Sequence, residues 1–364
     1  MTSWMRPWVL IPLGAGLLAI AFFLPKDSPA SAAQAEIRSR QILSEVYSVD
    51  RPYRSMMGPQ GFQTLALGEE GVEELEPGEL LWITGYRATM VGADGSTAMS
   101  QEFMCHSNLD LDPLEHNELF GFEKAISGRL FTLSQGQFSI ELPEGFGIPV
   151  LSQEALNLTT QVLNLNRSEE VFQVRHKVDI DFVAARDLAK PLKPLFSLAA
   201  YGLASQEENS VVFGRVPADG EEHGPGCLVR NSASDTDYQD SLGQRFSGHW
   251  VVKPGREENH TLVTEILNLP FDTTVHYIAV HLHPFAESLE LRDLTSGESV
   301  FRSQVRPAKK GIGIEHVDFF SSPEGLPLYR DHEYELVSIY DNTSGEDQDS
   351  MAVMYLYLLD REYR

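Results

Sequence analysis

The feature that most constrains this chain is a succession of short β-rich segments with no long amphipathic helix between them. Leu80–Tyr86, Ala98–Leu109, Leu130–Leu142, Leu158–Leu165, Val171–Val183, His249–Val252, Leu262–Leu267, Val275–Leu291, Glu333–Tyr340 and Met351–Leu359 are rich in alternating, β-branched and aromatic residues. Gly, Pro, Asn and Asp punctuate them, as turns do in antiparallel proteins. A doubly wound α/β fold needs crossover helices, and the sequence supplies none. The expected fold is all-β: two tandem antiparallel β-sandwich (jelly-roll-like) domains following an N-terminal signal or anchor helix. A length of 364 residues suits two domains, and a hydrophobic fraction of 42% suffices for their cores.

The N-terminus carries a different pattern. Arg6 precedes an apolar run from Trp8 to Leu24, and small residues follow from Ser28 to Ala35 with two A-x-A patterns. That is the layout of a secretory signal, with a retained single-helix membrane anchor as the alternative. Residues 1–35 are accordingly read as signal peptide or anchor, and the body as extracytoplasmic. Ala33–Val46 is helix-compatible and belongs to a lead-in segment at 36–55. An N-terminal β-sandwich spans 56–190 and a C-terminal one 191–364, parted near the Pro/Lys stretch Ala189–Pro194. Within the second, 204–244 is a long polar insertion.

A net charge of −25 repels phosphate backbones and anionic lipid heads, so no nucleic-acid partner is expected. Two cysteines exclude both a disulfide-dense scaffold and a Cys-rich zinc module. In an oxidising compartment Cys105 and Cys227 are a disulfide candidate. The chain lacks a phosphate-cradling Gly loop, a G-x-S-x-G elbow and an H-E-x-x-H helix.

The sharpest local signal is Val280-His281-Leu282-His283-Pro284. Side chains alternate along a strand, so His281 and His283 share a face and two neutral imidazoles could hold one metal ion. Ordinary strand histidines give the same pattern. About seventy residues on, the segment Asp349–Leu358 opens a strand with Met351 near its start. A thioether beside two imidazoles suits Cu(I), although a Met at a strand start is also common core filling. His276 and His316 are candidates for supporting roles, while His116, His176 and His332 read as solvated or outward-facing.

The order of Val275–Asp293, Leu328–Tyr334, Ile339–Asn342 and Asp349–Leu359 resembles the catalytic domain of the copper type II, ascorbate-dependent monooxygenases. That family includes peptidylglycine α-hydroxylating monooxygenase and dopamine β-monooxygenase. His249-Trp250-Val251-Val252-Lys253-Pro254-Gly255 is similar to the family's strand and Pro-Gly turn ahead of the histidine motif. The resemblance implies copper on His281, His283 and Met351, with O2, ascorbate or another reductant, and a small-molecule or peptide substrate. Upstream, Leu142–Gly147 and Thr160–Leu165 resemble the family's N-terminal domain, which carries an electron-supplying copper on three histidines. Cys105, His106 and Asn164 occupy those three positions here, a degenerate site. The resemblance therefore implies an exported copper-dependent monooxygenase-like oxidoreductase. The alternative is a non-catalytic extracytoplasmic copper-binding or ligand-binding β-sandwich protein.

Overall fold

A computed structural model describes residues 36–53, 57–68, 75–167, 170–205, 237–239 and 245–363. The expected leader at 1–35 and most of the polar insertion lie outside the described residues. The described residues are all-β, with 58% of them in strands and 6% in helices. Ala35–Arg364 form one compact unit. Among the described residues no helix is long and apolar enough to cross a membrane.

A ten-stranded sheet forms the backbone of this unit. Its main path runs Arg38–Leu43, Phe172–Ala184, Leu80–Gly92, Phe146–Leu151, Lys193–Tyr201, Ala352–Leu359, Thr273–Leu282 and Phe320–Leu328. The two halves of the sequence meet within it by a parallel pairing of Lys193 with Phe146 and Pro194 with Gly147. The Pro/Lys stretch thus ends inside the sheet. A four-stranded sheet of Gln60–Leu65, Leu156–Val162, Met104–Leu111 and Arg129–Ser134 packs on one face. Phe131 stacks on both Tyr86 and Tyr357, at 5.3 and 5.7 Å, so this sheet touches strands on either side of the seam. A five-stranded sheet, Gly255–Leu262, Tyr334–Asn342, Ala286–Asp293, Glu298–Pro307 and Ile314–Val317, completes the C-terminal half.

Three segments depart from the sequence expectation. Ala33–Val46 was helix-compatible, yet Arg38–Leu43 forms an edge strand along Ile42↔Val178 to Arg38↔Phe182. Ladder pairing outweighs a helix preference of a few tenths of a kcal/mol per residue. Thr264–Leu267 is one helical turn, closed by Asn268 in the left-handed region, where a strand was expected. Val275–Leu291 breaks at Pro284, which has no N–H to donate, into Thr273–Leu282 and Ala286–Asp293. Phe285, at φ 73°, turns the chain between them.

Candidate metal centre

The strand Thr273–Leu282, called the histidine strand below, lies inside the ten-stranded sheet. It has Ala352–Leu359 on one side and Phe320–Leu328 on the other. His281 sits on the rung with Val353, and Leu282 on the rung with Ala352. Extending that register by one step sets His283 across from Met351. Trp250 pairs with Ser350 in a separate two-stranded ladder, so one step along sets His249 across from Met351 as well. Met351 therefore stands where the chain changes sheet partners, with a histidine at the neighbouring register position on each side. It is buried, and its carbonyl accepts a hydrogen bond from the Tyr340 hydroxyl at 2.6 Å.

His281 and His283 are 8% and 6% exposed. Their ring centres are 5.4 Å apart with planes at 89°. His283 Nδ1 faces Asp349, 3.1 Å from Oδ2 and 3.4 Å from the carbonyl oxygen. Donation from Nδ1 leaves Nε2 with its lone pair, the arrangement that orients a metal-ligating imidazole. His281 Nδ1 is buried with no hydrogen-bond partner. Such an orphan costs about 1–3 kcal/mol of desolvation unless something else binds it. The ring of His249 lies 6.1 Å from that of His283.

Charge separates the two imidazoles. Burial, then the neighbouring His283, His106 and His249, hold the His281 proton affinity well below the usual value, so this ring is neutral. Burial also works against protonation of His283. The Asp349 carboxylate outweighs it, with a smaller contribution from Cys105, and the net shift is upward. The rings border a cavity of about 30 Å³ whose wall includes Cys105, Gln135, Leu163, His281, His283 and Ile312. That is room for one water-sized guest.

These residues fit an ion held by two imidazoles. Metal–nitrogen bonds of about 2 Å in tetrahedral array place two ring centres about 5 Å apart. Among the described residues no group of three or more His, Cys, Asp and Glu side chains is set to hold a metal. A third ligand must then be of another kind, such as the Met351 thioether or water, or move in on binding.

The N-terminal candidates do not gather into a centre of their own. Asn164 commits its amide to a loop. Nδ2 donates to the carbonyls of Arg51 and Arg167 at 2.9 and 2.6 Å, and Oδ1 accepts from Arg167 N at 3.0 Å. Cys105 instead lines the cavity beside His281 and His283. His106, one residue on, is buried, and its charge is felt at both His281 and His176. Cys227, the disulfide candidate's second member, lies outside the described residues.

Other histidines sit differently from their sequence reading. His176, expected outward, is fully buried on the inner face of Phe172–Ala184, with Nε2 3.2 Å from the Gln161 carbonyl. His116 is buried 2.7 Å from Glu154. His276 is held by Thr274 and Ser322, and His316 lies beside Asp318, so neither supports the pair. Asp349 takes that role, and its position before a partner-switching Met gave no local signal. His249 stood within the quoted motif, but a lone histidine before a three-residue strand carries no ligand signature.

No family model matches the chain, and no curated protein matches it. Solved structures similar to it include a peptide-N(4)-(N-acetyl-β-D-glucosaminyl) asparagine amidase at 8% identity and TM-score 0.36, over 90% of this chain and 98% of that one. PNGase F, a glycosylasparaginase from Flavobacterium meningosepticum, gives 7% and 0.37, over 89% and 96%. The major capsid protein P2 of bacteriophage PM2 gives 10% and 0.29, over 89% and 100%. Scores this low carry neither fold nor chemistry over to this chain.

Proposed function

We propose that the chain is an exported copper-dependent oxidoreductase of the monooxygenase type, with copper on His281, His283 and Met351 and a reductant such as ascorbate. The tandem jelly-roll organisation belongs to the same reading. The observation that carries it is the paired state of the two imidazoles: His283 steered through Nδ1 by Asp349, and His281 neutral with an orphaned Nδ1. Copper bound there supplies one-electron chemistry and a place for O2. The chain's own residues do the rest. Asp349 orients one ring, burial keeps the other unprotonated, and Leu163, Leu165, Ile312 and Ile314 give the cavity an apolar wall.

A second reading, a copper-binding module without turnover, is favoured by Asn164. With its amide spent on the loop, an electron-supplying centre on Cys105, His106 and Asn164 lacks its third ligand. Copper counting on the purified protein tests both. One equivalent, lost in His283→Ala and Met351→Ala, supports the site, and failure to retain copper refutes it. Oxygen uptake with ascorbate then separates enzyme from binder.

A further inference from the structure

Cys105 and the histidine pair belong to different halves of the sequence and were assigned to different metal sites, yet one water-sized cavity is walled by all three. A bulge produces this. Met104 pairs with Val162 and His106 with Gln161, so Cys105 is the extra residue between two consecutive rungs. Bulges re-aim side chains beside functional sites. Here the thiol packs on Leu163 and Leu165, which also line the cavity. Independently of the thiol, His281 is more than nine-tenths buried on the same cavity with Nδ1 lacking a hydrogen-bond partner.

We propose that Cys105 closes onto the ion held by His281 and His283, making one shared centre of a thiolate and two imidazoles with Met351 alongside. This rests on the second reading, copper held by the histidine pair without oxygen turnover, and stands against the oxygen-activating one. On binding, the Cys105 S–H bond breaks, a sulfur–copper bond forms, and the proton passes to bulk water. Two imidazoles, one thiolate and a weak thioether are the ligand set of electron-transfer copper rather than of an open oxygen-activating site. The centre that the resemblance splits into an electron donor and a catalyst becomes a single electron-carrying site, joined across the two halves.

The test loads the full chain with Cu(II) and records its visible spectrum, and in parallel maps alkylation of each cysteine by peptide mass spectrometry. The expected result is an intense sulfur-to-copper charge-transfer band, lost in Cys105→Ser while one equivalent of copper stays bound. Copper should also block alkylation of Cys105 but not of Cys227. Bound copper with no such band, and Cys105 alkylated as fast as in the copper-free protein, overturns the shared centre and leaves the histidine site standing. A Cys105–Cys227 disulfide in the native protein overturns it too. Failure to bind any copper overturns both. The protection measurement uses the native chain, so it decides even if Cys105→Ser does not fold.

Discussion

At the scale of the residue, two histidines two positions apart were legible because strand alternation is local. Their supporting carboxylate was not, because Asp349 reaches His283 through a change of sheet partner some sixty residues away. Removing it in Asp349→Ala should weaken copper binding roughly tenfold, the usual cost of losing an orienting partner. Competition with a copper chelator measures this, and an unchanged affinity would remove Asp349 from the site. His176 makes a second case. Burial, then the charge of His106, lowers its pKa from 6.5 to about 3. Between those values the unfolded chain holds a proton that the folded chain refuses. Stability therefore falls as pH drops from about 6.5 toward 3, by up to about 1.4 kcal/mol per pH unit from this group. His176→Leu should flatten that decline in melting temperature between pH 7 and 4.5. A decline as steep as in the parent would show that other groups set it.

At the scale of the element, strands rich in β-branched, aromatic or alternating residues were readable, including Leu80–Gly92, Phe172–Ala184 and Ala352–Leu359. Arg38–Leu43 was not, because its strand character is conferred by Phe172–Ala184 rather than by its own residues. The loop 308–313 was equally silent, though it helps wall the cavity. Asn166 clasps it at one residue, accepting from Ile312 N at 2.7 Å and donating to Ile312 O at 2.8 Å. Gln135 holds the next strand, accepting from Ile314 N at 3.1 Å. The two clasps differ in burial: the first is exposed, the second is not. Asn166→Ala leaves groups that water can satisfy and should cost about 1 kcal/mol or less. Gln135→Ala strands a buried N–H and should cost about 1–3 kcal/mol. Chemical denaturation of the two variants decides this, and equal costs would contradict the burial argument.

At the scale of the molecule, the net charge of −25 says nothing of how the halves join. Two of the contacts that do so stand out. One is the sheet seam at Lys193–Pro194, and the other is a buried ion pair between Lys124 and Asp360 at 2.8 Å, with side chains 1% and 2% exposed. Lysine is ordinarily a surface residue, so no sequence argument would have placed it there. Lys124→Ala leaves a carboxylate uncompensated in the interior and should cost about 3–5 kcal/mol. The double variant Lys124→Met, Asp360→Leu should recover most of that loss, since both charges leave together. Thermal unfolding of the pair tests it, and additive damage would mean that the side chains matter for packing rather than charge. The interior place of the histidine strand has a further consequence, in time rather than space. Its imidazoles are brought to Cys105 and Asp349 only after chain regions far apart in sequence have found one another. An ion that met the nascent polypeptide would find no cage, so any metal proposed for this site would be the last component to arrive.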